Sequence, residues 1–162
     1  MITGIVAVSK DGGIGFNNSM PWPFLLEDMK WFQKKTTNNI VIMGSNTWSS
    51  LPKKLLNRIN VIVSKQQWYN VDHVYYTPTD AITHLQFLYP EKELFIIGGQ
   101  QLYDSTINLI DRFYVTEIEE TYKCDKFFDM SIINNLFPTC IKHNEIEKMG
   151  DSPRYTIKEY TK

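Results

Sequence analysis

Cysteine and histidine are scarce in this sequence, and neither is clustered. The two cysteines, Cys124 and Cys140, have no paired spacing, and His73, His84 and His143 are scattered along the chain. Metal ligands normally recur at short, regular spacings, so no metal site is expected. A disulfide framework is not expected either, and two unpaired cysteines are typical of a protein from a reducing compartment.

The sequence also lacks an excess of charge of one sign and any long hydrophobic run. Seventeen basic and 18 acidic residues give a formal net charge of −1, so no overall field favours nucleic acid or an anionic membrane surface. The apolar residues 1–8 form a run that is too short to cross a membrane and has no basic leader. We therefore expect a cytoplasmic protein, monomeric, that binds neither nucleic acid nor membrane.

Repeats and low-complexity segments are missing as well. A chain of 162 residues can bury one sizeable core. Aromatic residues make up 14% of it, which is typical of a globular core rather than of disorder. One domain covering residues 1–162 is therefore expected.

Short apolar runs alternate with helical patterns over most of the chain. Runs typical of strands occupy residues 2–8, 39–44, 60–64, 72–76, 94–99 and 112–118. Helical patterns occupy residues 25–32, 79–88, with Thr79 as the N-cap, and 100–110. A short extended piece, 124–128, and an antiparallel pair, 142–148 and 154–160, follow. This order predicts an α/β fold with a mostly parallel sheet and an antiparallel end.

One carboxylate falls among apolar side chains. In a helix that starts at Leu25, Asp28 shares a stripe with Leu25, Met29 and Phe32. An unpaired carboxylate in such a position is strongly destabilising or becomes neutral. We therefore expect Asp28 to find hydrogen-bond donors in a ligand.

Two strands end in glycine and lead directly into a helix. Gly44 precedes Ser45-Asn46-Thr47-Trp48, and Gly98-Gly99 precedes the helix of residues 100–110. The free N–H groups of such helix starts suit phosphates, so the two units could hold the two ends of a dinucleotide. Neither contains G-x-G-x-x-G, and a strand-terminal glycine also serves turn geometry alone, so both interpretations stay open.

Residues 9–20 are rich in glycine and asparagine and predict a long mobile loop. Such a loop is either a lid over a site or plain surface. Ile14 and Met20, apolar residues within it, favour the lid.

Taken in order, several short motifs resemble those of the dihydrofolate reductases, and their order and separations are specific across nearly the whole chain. The motifs are Ile14-Gly15, Met20-Pro21-Trp22, Asp28 with Trp31-Phe32, Val41-Ile42-Met43-Gly44 with Thr47-Trp48, Arg58, Ile97-Gly98-Gly99 with Tyr103, and Tyr114-Val115-Thr116. The resemblance implies a central eight-stranded, mostly parallel sheet with an antiparallel C-terminal strand and four flanking helices. It also implies reduction of 7,8-dihydrofolate to tetrahydrofolate by NADPH, in support of one-carbon metabolism and thymidylate synthesis.

The same resemblance implies the catalytic roles. Asp28 would accept hydrogen bonds from the 2-amino and ring N–H edge of the pterin, and Thr116 would hydrogen-bond Asp28. A water admitted near Met20 and Trp22 would protonate N5, while Asp28 would favour the protonated pterin electrostatically. Arg58 would bind the α-carboxylate of the substrate's glutamate.

Binding residues follow from the resemblance too, although core packing explains many of the apolar ones equally well. Substrate contacts would come from Ile5, Val6, Ala7, Asp28, Met29, Phe32, Leu51, Leu55, Arg58, Ile97, Tyr103 and Thr116. Cofactor contacts would come from Ala7, Ile14, Gly15, Asn18, Gly44, Ser45, Asn46, Thr47, Val63, Ser64, Lys65, Ile97, Gly98, Gly99, Gln100, Gln101, Leu102 and Tyr103. The Gly98–Gly99 peptide bond is expected to be cis, and Asp125 falls where the family ties a distal loop to the lid.

The sequence departs from the family pattern where the cofactor would bind. Many members carry arginine directly after the glycine of the second strand, where it grips the 2′-phosphate, but this chain has Ser45-Asn46. Lys65 is the best remaining cation, with Asn46 and Gln66 as neutral donors. Gln100-Gln101 replaces a glycine and an arginine, which removes a charge near the pyrophosphate. Either the N–H groups at the start of the helix suffice there, or the cofactor binds more weakly than in other members.

A second departure concerns the lid and the residues beside it. Cys124 replaces a glycine before Asp125, which puts the coupling of the distal loop to the lid in question. One extra residue lies between Trp22 and Asp28 relative to common bacterial forms.

Two other functions remain open on the sequence. A pyrimidine-type reductase of the same architecture would need neither Asp28 on an apolar stripe nor Arg58 at a glutamate tail. A folate- or nucleotide-binding module without turnover could dispense with the proton-handling residues. The intact set Asp28, Trp22, Thr116 and Tyr103 therefore argues against this second function.

Overall fold

A computed structural model describes residues 1–162, which form ten strands and five α-helices. The strands are β1 (Ile2–Val8), β2 (Gly13–Gly15), β3 (Ile40–Gly44), β4 (Ile59–Val63), β5 (His73–Tyr75), β6 (Leu94–Ile96), β7 (Arg112–Ile118), β8 (Lys126–Phe127), β9 (Thr139–Ile146) and β10 (Tyr155–Thr161). The helices are α1 (Leu26–Thr36), α2 (Ser45–Ser50), α3 (Pro78–Leu88), α4 (Gln100–Thr106) and α5 (Met130–Leu136), and a 3-10 turn covers Ile107–Leu109.

Eight of the strands form one mixed sheet in the order β5-β4-β3-β6-β1-β7-β10-β9. In this order, all neighbouring pairs from β5 through to β7 are parallel. Parallel neighbours require crossover connections, which return the chain to the same end of the sheet before the next strand begins. β10 runs antiparallel to both β7 and β9. The predicted α/β sheet with an antiparallel end is therefore confirmed.

The expected number of four flanking helices is wrong, since the structure has five. α5 is the additional one, a helix of seven residues whose N-cap Asp129 accepts a hydrogen bond from the Ser131 N–H. None of the helices has the length and hydropathy needed to span a bilayer.

The start of α3 differs from the prediction. Thr77, not Thr79, is the N-cap, and its hydroxyl accepts the Asp80 N–H at 3.1 Å. Pro78 occupies the first helical position, where a missing N–H carries no penalty and the fixed φ of proline suits the helix. The helix therefore begins before Thr79.

The segment predicted as a long mobile loop, residues 9–20, is partly a strand. Its residues Gly13–Gly15 form β2, which pairs with β8 in a small antiparallel sheet. The backbone of the loop of residues 9–20 is therefore attached to a second loop near residue 126.

Two apolar cores lie on opposite faces of the sheet, because successive side chains along each strand alternate between the faces. The face covered by α3, α4 and α5 has a core of 20 buried residues, the α3-face core, which includes Val6, Leu85 and Phe113. The face covered by α1 and α2 has a smaller core of 11 buried residues, the α1-face core, with a rim of side chains that are only half-buried. The first face is closed by helices, and the second is partly open.

Candidate active site

Asp28 lies in the first turn of α1, against the carboxyl-terminal half of β7. The Thr116 hydroxyl, on a residue that is only 3% exposed, donates a hydrogen bond to Asp28 Oδ1 at 2.5 Å. Burial raises the pKa of the Asp28 carboxyl, and the Thr116 hydrogen bond, which lowers it, does not cancel the effect. The expected contact between these two residues is present, and no other side chain donates a hydrogen bond to the Asp28 carboxylate.

The side chains around Asp28 form the rim of the α1-face core. Ile5, Ala7, Leu51, Leu55 and Ile97 pack against this core yet remain half-buried. Met29 and Phe32, on the same stripe of α1 as Asp28, are half-buried too. We refer to the partly exposed apolar surface that these side chains share with Asp28 as the cleft.

Val6 does not line this cleft with its side chain, contrary to the expectation. Ile5 and Ala7 belong to the α1-face core, whereas Val6 packs in the core of the opposite face and is 8% exposed. The reason is strand alternation, which sends neighbouring side chains to opposite faces. Val6 can reach a cleft ligand only through its backbone.

The loop of residues 9–20 is held by backbone and carboxylate contacts with the distal loop. The Asn17 N–H donates to Asp125 Oδ2 at 3.1 Å, and the Asp125 N–H donates to the Gly15 carbonyl at 2.9 Å. Trp22 is buried and lies edge-on to Tyr122, whereas Met20 is 57% exposed. Asp125 therefore ties the distal loop to the loop of residues 9–20, which is the contact that the resemblance implied.

Cys124 does not disrupt this attachment. A Cβ added to Gly13 would lie 2.2 Å from Cys124 Sγ, so the cysteine side chain occupies space that only a glycine at position 13 leaves free. The absence of a side chain at Gly13 compensates for the presence of one at Cys124.

Arg58 lies just before β4, beside Phe32 of α1. Its Nε donates to the Leu56 carbonyl at 2.8 Å and its Nη1 donates to Thr36 Oγ1 at 3.1 Å, while the guanidinium carbon lies 5.8 Å from the Phe32 ring. Burial lowers the pKa of this guanidinium. The protein supplies no carboxylate to it, so a fixed and half-buried cation is left at the end of the cleft.

Glycines form the floor at the carboxyl ends of β3 and β6. The Gly44 N–H donates to the Gly98 carbonyl at 2.9 Å, and the expected cis peptide bond between Gly98 and Gly99 is present. Gly98 has a φ of +122°, and a Cβ there would lie 3.3 Å from the Tyr103 hydroxyl and 3.5 Å from Thr47 Oγ1. Gly98 is buried, and glycine is required there by the positive φ and by the close approach of Tyr103 and Thr47.

The remaining predicted cofactor residues are distributed around this floor. Gly44 pairs with Val63 across the β3–β4 ladder, so Ser45 and Ser64 continue from neighbouring strand ends. Tyr103 is buried in α4 and its hydroxyl donates to the Ile5 carbonyl at 2.7 Å. The side chains of Ile14, Val63 and Leu102 pack with the α3-face core, which leaves their backbones for a ligand. Asn18, Asn46 and Gln101 are exposed, and Gly15, Thr47, Gly99 and Gln100 are half-buried.

Few cations lie at the carboxyl ends of β3 and β4. Lys65 is exposed, and its Nζ lies 5.6 Å from the centre of the Tyr76 ring. Ser64 Oγ accepts hydrogen bonds from the Gln66 N–H and from the indole N–H of Trp68, each at 3.1 Å. Sequence reasoning missed Trp68, whose only signal was a large aromatic residue within a polar loop.

Comparison with known proteins agrees with this geometry. Residues 1–162 match the family described as dihydrofolate reductase. The chain is 38% identical over 138 residues to the dihydrofolate reductase type 9 of Escherichia coli, covering 81% of this chain and 77% of that protein. It is 35% identical over 126 residues to the dihydrofolate reductase of Buchnera aphidicola subsp. Acyrthosiphon pisum, covering 76% of each. It is 36% identical over 116 residues to the dihydrofolate reductase of Staphylococcus aureus, covering 71% and 69%.

The match over all residues and these identities lead to one conclusion: the chain belongs to the dihydrofolate reductase family.

Proposed function

We propose that this chain reduces 7,8-dihydrofolate to 5,6,7,8-tetrahydrofolate with NADPH as the reductant. Family membership supports the reaction and a nicotinamide cofactor. The observation that carries the proposal is the Asp28 carboxylate, which is half-buried at the rim of an apolar cleft with the hydroxyl of Thr116 as its side-chain donor.

Asp28 would hold the pterin ring. Oδ1 accepts the Thr116 hydroxyl, and the remaining lone pairs suit the two parallel N–H donors of a 2-aminopterin edge. The half-buried rim residues Ile5, Leu51, Leu55 and Ile97 would pack on the flat ring and on the benzoyl group. The carboxylate would fix the orientation, and the apolar rim would supply most of the contact area.

The proton would come from solvent rather than from Asp28. The carboxyl faces the amino edge of the pterin in this pose, so it is remote from N5. Met20 is 57% exposed and lies next to buried Trp22, so a water could enter beside these two residues. Asp28, in its ionised form, would stabilise the positive charge that develops on the protonated ring.

Arg58 would bind the α-carboxylate at the other end of the substrate. Two of its nitrogens are already fixed by Leu56 and Thr36, and the rest of the guanidinium is left without a carboxylate partner. A guanidinium held in this way loses little entropy on binding a carboxylate.

The residues at the glycine floor fit a nicotinamide dinucleotide. A Cβ at Gly44 or at Gly99 would have a single protein atom within 4 Å, so both glycines leave room for a closely approaching ligand. Ala7, Gly44, Thr47, Gly99 and the backbone at the start of α4 would hold the cofactor, with Ser64 and Lys65 at its adenosine end. When bound, the cofactor supplies the hydride that adds to C6 of the pterin.

The decisive experiment follows the loss of nicotinamide absorbance when the pure protein is mixed with dihydrofolate, with NADPH and NADH in parallel. We expect turnover that favours NADPH. Comparable rates with both cofactors would support the reaction but refute the cofactor preference. Absence of turnover with either would refute the reaction and favour a binding module.

The proposal includes a single domain over residues 1–162 that acts as a monomer in the cytoplasm. Light scattering of the purified protein tests the monomer: a mass near 19.0 kDa is expected, and a mass of twice that value would contradict it.

A further inference from the structure

The hydroxyl of Ser64 is constrained by two donors. Its oxygen accepts the backbone N–H of Gln66 and the indole N–H of Trp68, both at 3.1 Å. A serine hydroxyl has one O–H donor and two lone pairs. Both lone pairs are therefore used, and the remaining hydrogen-bonding capacity of Ser64 is that of a donor.

Ser64 also stands at the edge where the family's arginine is missing. It follows β4 directly, and the pairing of Val63 with Gly44 brings it beside Ser45 at the next strand end. Lys65 adjoins it, and this ammonium has an aromatic ring as its neighbour rather than a carboxylate. The edge thus presents one oriented O–H donor and one cation.

We infer that Trp68 is a positioning residue for the 2′-phosphate of the cofactor. Its indole N–H holds the Ser64 hydroxyl in the donor state, and Ser64 together with Lys65 takes the place of the arginine. This inference rests on the proposed function, in which the cofactor is NADPH.

The selectivity follows from the charge of the ligand. A donor hydroxyl forms a charge-assisted hydrogen bond with a phosphate oxygen and only an ordinary one with a ribose hydroxyl. A serine free to rotate could also accept a hydrogen bond from the ribose hydroxyl of NADH. Trp68 removes that option and so shifts the preference toward the phosphorylated ligand.

Trp68 also packs on the α1-face core and lines a groove of about 440 Å³ with Trp48, Lys53, Lys54 and Asn70. Loss of this packing would disturb the loop without any role in orientation. The test must therefore separate the N–H from the ring, which the substitution Trp68→Phe does.

The probes are adenosine 2′,5′-bisphosphate and adenosine 5′-monophosphate, titrated into the whole protein by calorimetry. Trp68→Phe is expected to weaken binding of the bisphosphate about fivefold, roughly the effect of one net hydrogen bond, and to leave the monophosphate unchanged. Ser64→Ala should likewise weaken binding of the bisphosphate relative to binding of the monophosphate. The double variant should lose no more than Ser64→Ala alone, because Trp68 acts through Ser64.

Trp48→Phe is the matched control, since it removes an indole from the same groove but no donor to Ser64. Equal losses for both probes in Trp68→Phe, or a double variant whose losses add, would overturn the positioning role and leave a packing role. Should Trp68→Phe fail to fold, Ser64→Ala decides alone, and unchanged discrimination there would refute the inference.

Failure of the proposed function gives a different result. A wild-type protein that binds both probes equally, and uses NADPH and NADH at equal rates, would overturn the cofactor preference and the role of Trp68 together. Wild-type discrimination that survives Trp68→Phe would overturn the role of Trp68 alone.

Discussion

Two arginines at the amino ends of parallel strands have opposite environments. Arg112 begins β7, and its Nη2 donates to both oxygens of Glu93 at 3.0 and 2.9 Å while its Nε donates to Thr3 at 3.2 Å. Glu159 lies 3.9 Å away on its other side. Arg58, before β4, has a carbonyl and a threonine hydroxyl as acceptors and no carboxylate.

The pKa values of the two guanidiniums shift in opposite directions. Burial lowers the pKa of Arg58. Burial also acts to lower the pKa of Arg112, but the hydrogen bonds and charge of Glu93 outweigh it and raise the pKa. The fold therefore supplies the counter-charge of Arg112 by itself, whereas Arg58 has no carboxylate partner and Asp28 has no cationic partner.

The largest effect is expected from Asp28→Asn. Turnover should fall about 100-fold or more at pH 7, because the ionised carboxylate that orients and stabilises the pterin is lost. The free energy of unfolding should stay the same or rise, since a half-buried charge is removed. Steady-state kinetics and urea denaturation measure the two quantities.

Asp72→Asn is the matched control, because the protein itself supplies the hydrogen-bond donors of Asp72, which are Lys54 and the Asn60 N–H. It should lower stability and leave turnover intact. An Asp28→Asn variant that retains nearly full turnover would remove Asp28 from the mechanism.

Arg112→Met should produce the next largest effect, and on stability alone. Glu93 and Glu159 would lose their cation in a region where their side chains are only 22% and 15% exposed, which destabilises the protein by about 2–3 kcal/mol. Kinetic constants of the folded fraction should not change. Denaturation melts and kinetics below the melting range test this, and a selective loss of activity would show that Arg112 is linked to the cleft.

Arg58→Leu should raise the Michaelis constant for dihydrofolate about tenfold with little change in turnover number, because it removes binding that ground state and transition state share. Stability should stay within about 0.5 kcal/mol, since Thr36 keeps its hydrogen bond to the Phe32 carbonyl at 2.7 Å. Arg58→Lys retains the positive charge but not the planar guanidinium, so its Michaelis constant for dihydrofolate should lie between those of the wild type and of Arg58→Leu. An unchanged Michaelis constant in Arg58→Leu would show that the cation does not contact the substrate.

Local patterns in the sequence were sufficient for much of the fold and of the site. β7 begins and ends as predicted, at Arg112 and Ile118, because aromatic and β-branched residues, which favour strands, make up most of this segment. Asp28 was identified because helical spacing alone places it with Met29 and Phe32. The face to which Val6 points was not predictable in the same way, since a strand buried on both faces has no polar alternation that distinguishes them.

Other features depend on contacts that no local pattern encodes. Trp31 falls on the stripe of Glu27 and Lys30, yet it is buried because Tyr114 and His143 approach it from distant strands. α5 is too short for a recognisable period, and its cap Asp129 was the one local signal. The hydrogen bond from Trp68 to Ser64 arises within an irregular loop, where sequence spacing does not specify which groups meet.

The smallest expected effect is on the pH dependence of folding, where Asp28 and Asp72 should differ in sign. Burial raises the pKa of Asp28 in the folded protein, so ionised Asp28 destabilises the fold at neutral pH. For Asp72, burial acts to raise the pKa, but the hydrogen bonds from Lys54 and the Asn60 N–H lower it overall. Ionised Asp72 therefore stabilises the fold at neutral pH, and this contribution is lost as the pH falls through its folded pKa.

Urea denaturation between pH 7 and about pH 3, a range that extends below the ordinary pKa of an aspartate, tests this difference against the two asparagine variants. The wild type should be less stable than Asp28→Asn at pH 7, and the gap should close on acidification as Asp28 takes up its proton. It should be more stable than Asp72→Asn at pH 7, and that advantage should also shrink as the pH falls. If both variants differed from the wild type in stability in the same direction at pH 7, ionised Asp28 and ionised Asp72 would have the same effect on folding. The distinction between a carboxylate that the fold stabilises and one that it does not would then be refuted.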